Sequence, residues 1–559
     1  MDLDHSRSHQ VFPVLTSQQT DVTRRFASSG PHVFGPGETV SAIGDRNVPA
    51  WLILDGRLDV FRNDGLLSEA SIVSHGRGHI SGEVSQLSGR PSLAGARAGP
   101  EGCIALAFDA AHLKALIIGS AEVGEIVMRA YILRRVALID SGSGGSVLVG
   151  ASNDGGLVRL QGFLTRNGYP YIVLDAATDP DALALIERLG IIPDDLPLMV
   201  CPNGNVLKHP SDVEAAACLG ISPELDPGRI YDVAIVGAGP SGLAAAVYAS
   251  SEGLSVIVID ERAIGGQAGS SSRIENYLGF PTGISGQALA GRAFNQALKF
   301  GAEIALPMEI VGLTPPLPGT PNSEPLALHV KGQDILARTV VLAMGAKYRR
   351  PNIENISAFE GAGVSYWATA IEAKLCEDEE IALVGGGNSA GQAVVFLAPR
   401  VKRLHLVVRR DLAETMSSYL VDRISALPNV DLHVGSEITS LVEAGQAGLE
   451  AVMEDLTEKT ERVFKLRRVF MFIGADPNTS WLPPALDIDE KGFVKTGASF
   501  GLETVATIGR PAMSLETSVP NVFAIGDVRA GSTKRVAAAV GEGAAVVTEI
   551  HTALRTLSS

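Results

Sequence analysis

The chain has 559 residues but only four cysteines and three tryptophans, and aromatic residues make up 5% of it. Cys103, Cys201, Cys218 and Cys376 are too scattered to form a disulfide framework or a CxxC zinc site, so we expect no metal centre. No stretch reaches about 18 uncharged apolar residues, which predicts no membrane-spanning helix. The polar start MDLDHSRSHQ also lacks the apolar core of a signal peptide. We therefore expect a soluble, cytoplasmic protein.

Positive charge is also scarce, since the net charge is -16 and the pI is about 5.2. The field of such a chain repels phosphate, which argues against a nucleic-acid or anionic-membrane partner. Hydrophobic residues make up 46% and charged residues 19%, as in ordinary globular proteins. At roughly 150 residues per domain, this length predicts about four domains.

Two glycine-rich fingerprints are the most informative feature that the chain does contain. Residues 232–236 (DVAIV) have the composition of a buried parallel strand, and GAGPSG follows directly. Gly237, Gly239 and Gly242 are placed for a tight turn, close approach of the backbone to a pyrophosphate and helix packing. The next strand, SVIVID, ends at Asp260, where a carboxylate can accept hydrogen bonds from ribose hydroxyls. We include the adjacent Glu261 among the candidate binding residues.

The second fingerprint, IALVGGGNSA at 381–390, repeats this pattern with alanine at its third position. We expect it to bind the nicotinamide cofactor through Gly385, Gly387, Asn388, Ser389 and Ala390. The following strand, LHLVV, ends in Arg409 and Arg410 where an NADH-binding protein carries an acid. Paired guanidinium groups bind a 2′-phosphate, so the sequence favours NADPH over NADH.

Five further motifs resemble the low-molecular-weight thioredoxin reductases, in the same order as in that family. They are GGQ at 265–267, ENY at 275–277, VVLAMGA at 340–346, FIGADPNT at 472–479 and NVFAIGDV at 521–528. The resemblance covers nearly all of residues 231–559. It implies an FAD-binding domain in two pieces with an NADPH-binding domain inserted, and it implies a homodimer.

The resemblance also implies residue roles. Asp527 corresponds to the family's aspartate at the ribityl chain of FAD. The family's Arg-Gln-Ala beside the flavin corresponds to Arg535, Val536 and Ala537, so its glutamine does not carry over. Reductases of this family usually add a further arginine after the pair that binds the 2′-phosphate, where this chain has Glu414. The remaining candidates for FAD binding are Gly266, Gln267, Asn276 and Gly526.

The redox disulfide of that family is missing from its usual place. The stretch GVSYWATAIEAKLC has Trp367 and Ala370 where the family has its two cysteines, and neither side chain can undergo thiol–disulfide exchange. We expect Cys376, further along a predicted helix, to be a small buried hydrophobic residue. Relatives of the ferredoxin–NADP reductase type also lack the cysteines but carry a C-terminal aromatic, whereas this chain ends in EIHTALRTLSS.

Residues 146–221 weakly resemble a thioredoxin or glutaredoxin domain, with a βαβαββ pattern. Pro197 then corresponds to the cis-proline that precedes the third strand. Where the active CxxC belongs, the chain has Ser152, Asn153, Asp154 and Gly155. We expect Cys201 and Cys218 to be two isolated buried thiols rather than a replacement pair.

Residues 1–140 resemble a cyclic-nucleotide-binding domain, a small β-barrel followed by a long helix. Gly82 and Glu83 match the Gly-Glu of its phosphate cassette, but Ser92 stands where the phosphate-binding arginine belongs and Arg90 lies two residues early. We therefore expect a structural role or an altered small ligand rather than cAMP binding.

The sequence thus predicts an α/β protein with two nested Rossmann-like domains, preceded by a β-barrel-plus-helix domain and a thioredoxin-like domain. The FAD-binding domain spans 229–348 and 477–559, with the NADPH-binding domain at 349–476. The predicted activity is NADPH-dependent reduction of FAD, followed by direct delivery of electrons to a small-molecule or redox-protein acceptor. Two alternatives remain: a disulfide reductase that uses partner or distant cysteines, and a non-catalytic flavin and nucleotide redox sensor.

Overall fold

The computed structural model describes residues 8–63, 69–82, 86, 91–92, 94–140, 146–152, 154–202, 204–221, 225–316, 324–361, 363–445, 448–500 and 511–558. The chain divides into two compact units. The first comprises Met1–Ala151, Phe163–Glu224 and Leu298–Gly301, and the second comprises Ser152–Gly162, Leu225–Ala297 and Ala302–Ser559.

The N-terminal sheet lies in the first unit and is antiparallel, with the order β1-β6-β3-β4, while β2 pairs with β6 and β5 with β3. Its strands are β1 His32–Phe34, β2 Thr39–Ser41, β3 Ala50–Asn63, β4 Glu69–His75, β5 Ile80–Ser81 and β6 Gly95–Phe108. The helices of this region are α1 Ser8–Val11, α2 Ser17–Arg24, α3 Ala110–Gly119 and α4 Ala121–Asp140. The single long helix expected after the sheet is wrong, because Ser120 is extended and separates α3 from α4.

The middle sheet has the order β10-β9-β7-β8, with β7 and β8 parallel and the other pairs antiparallel. Its elements follow the predicted alternation: β7 Ser146–Gly150, α5 Gly155–Arg166, β8 Tyr171–Asp175, α6 Pro180–Leu189, β9 Leu198–Val200, β10 Val206–Lys208 and α7 Asp212–Cys218. The Leu196–Pro197 peptide bond is cis, as the resemblance implied.

The first fingerprint sheet has the order β13-β12-β11-β16-β15-β14, and β27 pairs with β16. Its elements up to residue 342 are β11 Ile230–Val236, α8 Pro240–Ser251, β12 Val256–Ile259, α9 Gly266–Gly269, α10 Gly286–Phe300, β13 Glu303–Ala305, β14 Ile310–Thr314, β15 Leu326–Val330 and β16 Gln333–Leu342. The strands β13, β12, β11, β16 and β27 are parallel. Their carboxyl ends therefore meet at one edge, where an open α/β sheet binds ligands.

The second fingerprint sheet has the order β18-β25-β19-β20-β21 and is parallel. Elements from residue 346 to 434 are β17 Ala346–Tyr348, α11 Ile356–Phe359, β18 Val364–Ser365, α12 Ala370–Leu375, β19 Glu380–Val384, α13 Asn388–Leu397, β20 Arg403–Val408, α14 Ser418–Ser425 and β21 Val430–Val434. The remaining elements are β22 Ser436–Glu443, β23 Leu449–Asp455, β24 Glu461–Leu466, β25 Arg468–Met471, β26 Ala475–Pro477, β27 Val522–Ala524 and α15 Val536–Ser558. Strands β22, β23 and β24 form a separate antiparallel sheet. The strands β17 and β26 pair where the chain enters and leaves this region.

Within the described residues, no helix combines the length and the apolar character needed to span a bilayer.

Candidate functional site

The first fingerprint turn is shaped by glycines that serve different purposes. Gly237 has φ +109, and a Cβ there would lie 2.4 Å from the carbonyl oxygen of Ala343, which follows the neighbouring strand β16. A Cβ on Gly242 would lie 1.9 Å from the carbonyl oxygen of Gly237. Gly239, at the N-cap of α8, has no atom within 4 Å of its Cβ position. Two glycines therefore close the turn, and the third leaves space at a helix N-terminus where a pyrophosphate fits.

Asp260, which follows β12, holds the first fingerprint turn through a hydrogen bond to its backbone. One carboxylate oxygen of Asp260 accepts the N–H of Ala238 at 2.8 Å, and the other accepts the N–H groups of Arg262 and Ala263 at 2.9 and 3.0 Å. Burial raises the pKa of Asp260, and these three hydrogen bonds oppose the rise. Glu261, the next residue, is half-buried and lies 3.6 Å from the ammonium group of Lys347.

The GGQ loop contacts the fingerprint turn directly. A Cβ on Gly266 would be 3.2 Å from the Cα of Gly239, so the two backbones lie side by side. The side-chain amide of Gln267 donates to the carbonyl oxygen of Ala346 in β17 at 2.6 Å. Asn276 lies exposed in the loop beyond α9.

The C-terminal motif NVFAIGDV packs against α8, the helix that follows the first fingerprint turn. Gly526 has φ +71, and a Cβ there would be 2.6 Å from the hydroxyl oxygen of Ser241 in α8. Glu542 of α15 accepts the Gly526 N–H at 2.6 Å and pairs with Arg529. Burial raises the pKa of Asp527, the adjacent residue. Arg535 is exposed directly before α15, which Val536 and Ala537 begin.

The second fingerprint turn has the same geometry as the first. A Cβ on Gly385 would be 2.3 Å from the carbonyl oxygen of Phe472, whereas Gly387, at the N-cap of α13, faces open space. Ala390 is fully buried in α13, and Ser389 beside it is exposed. The side-chain oxygen of Asn388 accepts the N–H of Ser417 at 2.7 Å, which fixes the start of the helix.

Arg409 and Arg410 follow β20 with side chains 75% and 77% exposed, so both can reach an anion. Each already has an acidic neighbour: Glu437 lies 3.1 Å from Arg409, and Glu414 lies 4.0 Å from Arg410. A 2′-phosphate would have to compete with these carboxylates, since all of them attract the same guanidinium groups.

Trp367 and Ala370 lie at the start of α12, where the resemblance placed two cysteines. The indole N–H of Trp367 donates to Glu372 at 3.0 Å, and Glu372 also accepts from the backbone N–H of Thr369 at 2.9 Å. Glu372 is 2% exposed, so the indole is held by a buried carboxylate. The rings of Tyr348 and Trp367 have centroids 6.5 Å apart.

Cys376 is fully buried behind this segment, and burial raises its pKa to about 11. The expectation of a small buried hydrophobic residue is confirmed. Arg468, itself 3% exposed, lies close to it and donates to the carbonyl oxygen of Gly361 and the hydroxyl of Ser365 at 2.9 and 2.8 Å. A neutral thiol in this position is a poor nucleophile.

The expectation of two isolated thiols in the middle sheet is wrong, because Cys201 and Cys218 form a disulfide. The 17 residues between them in the sequence concealed the pairing, since β10 and α7 fold back and bring the two Cα atoms to 6.0 Å. Ser152 and Asp154 lie between β7 and α5, Gly155 begins α5, and Asp154 accepts the N–H of Leu157 at 2.7 Å. Asn153 lies outside the described residues.

In the N-terminal sheet, a Cβ on Gly82 would be 2.8 Å from the carbonyl oxygen of Pro49. Ser92 hydrogen-bonds to the backbone on both sides: its N–H donates to Asp45 and its hydroxyl donates to Ala94. Glu83 and Arg90 lie outside the described residues, so the expectation of a structural role or an altered small ligand stays a prediction.

Sequence reasoning missed three acidic residues of these sites. Glu372 anchors Trp367, Glu437 pairs with Arg409, and Glu542 holds the Gly526 loop. A signal existed for Glu372 alone, because a threonine followed three residues later by glutamate is a capping-box pattern. No sequence pattern indicates the contacts of Glu437 and Glu542, because their partners come close only when the chain folds.

Comparison with known proteins gives consistent matches over the C-terminal part. The model of the pyridine nucleotide-disulphide oxidoreductase family matches residues 231–543. Thioredoxin reductase of Bacillus subtilis (strain 168) is 30% identical over 339 residues, which cover 59% of this chain and 98% of that protein. Thioredoxin reductase of Treponema pallidum (strain Nichols) is 33% identical over 319 residues, covering 56% and 94%.

Among solved structures, thioredoxin reductase of T. acidophilum aligns with a TM-score of 0.51 and 26% sequence identity. The alignment covers 58% of this chain and 98% of that one. The predicted α/β fold with nested Rossmann-like domains is confirmed over this part of the chain.

Proposed function

Because the chain belongs to the pyridine nucleotide-disulphide oxidoreductase family and is an FAD- and NADPH-dependent oxidoreductase of the thioredoxin reductase type, we propose that its flavin electrons pass directly to an acceptor. No dithiol relay operates beside the flavin in this proposal. The observation that carries it is the pair Trp367 and Ala370, which fills the relay position with side chains that contain no sulfur. Cys376, the nearest cysteine in sequence, is fully buried.

The described residues fit both cofactors. Gly239 and Gly387 each leave an open face at the N-terminus of a helix longer than two turns, as a pyrophosphate requires. The loop at Gly266 packs against Gly239 in the first of these turns, and the loop at Gly526 packs against Ser241 at the start of α8. When bound, NADPH and FAD supply the hydride-transfer chemistry, and the protein supplies position and surroundings.

In this proposal, each group of residues has a separate task. The backbone N–H groups at the start of α8 and α13 bind the two pyrophosphates, and Arg409 and Arg410 bind the 2′-phosphate. Trp367 covers apolar ring surface and limits which acceptors approach. Glu372 holds the indole in one orientation through the hydrogen bond to its N–H.

The finer parts of the assignment belong to the same proposal. We propose that the middle sheet is a thioredoxin-like domain without the usual CxxC, that the N-terminal sheet is a cyclic-nucleotide-binding-like domain, and that the protein is a homodimer. The strand order β10-β9-β7-β8 and the cis-proline support the first of these.

An acceptor screen tests the proposal. Purified protein is supplied with NADPH under anaerobic conditions together with a quinone, a small disulfide or oxidised thioredoxin, and with dioxygen in a separate aerobic assay. We expect steady NADPH oxidation with at least one direct acceptor. Trp367→Ala should change the relative rates among acceptors by several-fold without lowering the flavin content, and Trp367→Phe, which retains an aromatic ring, should change them less.

Two results would contradict the proposal. Reduction of thioredoxin that is abolished by Cys376→Ser would mean that a thiol relay does exist in this segment. Absence of turnover with every acceptor, despite bound flavin, would favour the non-catalytic sensor.

A further inference from the structure

We propose that Cys201–Cys218 is a redox-active disulfide, a second two-electron site that NADPH reduces through the flavin of this protein. The inference rests on the proposed function for its source of electrons. It adds an acceptor that the protein itself carries. The overall step converts the disulfide, NADPH and one proton into two thiols and NADP+: the S–S bond breaks, two S–H bonds form, and NADPH is oxidised.

The two sulfurs have different surroundings. Cys201 is 3% exposed and begins the turn between β9 and β10, where its N–H donates to Asn205 at 2.7 Å and its carbonyl oxygen accepts from Gly204 at 2.8 Å. Cys218 is the last residue of α7 and is only half-buried. Disulfide exchange requires access to one sulfur, and Cys218 is the more exposed residue of the pair.

The elements that the disulfide joins are also held by other contacts. Strand β10 pairs with β9 from Val206 to Lys208, and the ammonium group of Lys208 lies 2.9 Å from Asp195. Helix α7 begins with a capping box between Ser211 and Glu214, and two alanines of its middle turn are fully buried. Opening the disulfide therefore leaves both elements anchored, so the pair can open and close without unfolding the sheet.

No other cysteine of the chain competes for this role. All four lie in the described residues, and the two free thiols, Cys103 and Cys376, are buried with a pKa raised to about 11. Burial disfavours their thiolates, and thiolates are the reactive form. Cys218 also ends the last described helix before the flavin-binding sequence, which starts at Tyr231.

An anaerobic NADPH titration of the flavin-loaded protein tests the proposal, with flavin bleaching, alkylation and mass spectrometry as readouts. We expect wild-type protein to take up four electrons per flavin, and Cys201 and Cys218 to become alkylated only after NADPH is added. The double variant Cys201→Ser with Cys218→Ser should take up two. Cys103→Ala should still take up four and serves as the matched control.

Each outcome decides between the two proposals. Flavin that bleaches after two electrons while Cys201 and Cys218 stay resistant to alkylation overturns the redox role and leaves the proposed function intact. Flavin that NADPH does not bleach removes the proposed function and the redox role with it. If the double serine variant does not fold, alkylation of the wild-type pair decides alone.

Discussion

Single glycines shape the turns at which we propose that the cofactors bind, and glycine is present there for two different reasons. At Gly237 a side chain would strike the backbone of Ala343, and at Gly242 it would strike the carbonyl oxygen of Gly237, so the turn itself requires glycine at both positions. Gly239 has an ordinary φ of -74 and open space at its Cβ position, so the folded protein would accept a side chain there. The space at Gly239 matters only to a ligand. This distinction separates a binding residue from a folding residue within one short turn.

Gly239→Ala should therefore lower the FAD content of the purified protein severely while leaving its fold intact, because a methyl group fills the space that a pyrophosphate needs. Gly242→Ala is the matched comparison: its Cβ would lie 1.9 Å from the Gly237 carbonyl oxygen, so it should destabilise the protein. Flavin absorbance per protein and thermal unfolding measure the two effects. Full flavin occupancy in Gly239→Ala would show that the pyrophosphate does not bind at this turn.

A second single residue, His75, is expected to make the stability of the folded protein depend on pH. It is 2% exposed in β4, and burial, helped by nearby Arg134 and His79, lowers its pKa to about 3. The unfolded chain protonates near its usual pKa of about 6.5, so the contribution of His75 is complete above that value. Below it, the folded form loses about 1.4 kcal/mol per pH unit until the pH approaches the folded pKa.

Hydrogen exchange of β3 and β6 measured between pH 7 and pH 4 tests this expectation. Protection in the wild type should fall more steeply with acid than in His75→Gln, which cannot take up the proton. Replacement of the exposed His112 by Gln is the control and should follow the wild type. Matching pH profiles for wild type and His75→Gln would contradict the prediction.

At the scale of elements, we propose that the end of β20 and the start of β22 together set the coenzyme preference. Arg409 and Arg410 follow the last residue of β20, at the edge of the second fingerprint sheet. Glu437, near the start of β22, lies 3.1 Å from Arg409. The carboxylate attracts the same guanidinium group that a 2′-phosphate would bind. In this proposal, the preference for NADPH depends on a balance between two anions rather than on the arginines alone.

Replacing Arg409 and Arg410 together by alanine should lower kcat/KM for NADPH by about 10- to 150-fold, the value of one charge-assisted hydrogen bond of roughly 1.5–3 kcal/mol. The same variant should change kcat/KM for NADH little, because NADH lacks the 2′-phosphate. Glu437→Gln is the opposite test and should raise the NADPH preference. Equal efficiency of the wild type with both coenzymes would mean that the acidic neighbours cancel the arginines.

At the scale of the whole molecule, the family match begins at residue 231 and leaves the preceding sheets outside it. The part of the chain before residue 231 contains the Cys201–Cys218 disulfide and the buried His75, whereas both fingerprint turns lie in the second unit. All residues to which the proposed function assigns a task lie in the second unit. The redox role proposed for Cys201–Cys218 gives the first unit a chemical task.

The sequence alone determined the cofactors and the fold of residues 231–543, because each fingerprint is a contiguous strand, turn and helix whose geometry depends on neighbouring residues. It also identified the loss of cysteines at Trp367 and Ala370, which is a matter of residue type. The tertiary structure decided what depends on distant segments: the packing of Gly526 on Ser241, the carboxylate of Glu437 beside Arg409, and the pairing of Cys201 with Cys218. Such contacts form only when the chain closes loops between segments, and no local pattern encodes which segments will meet.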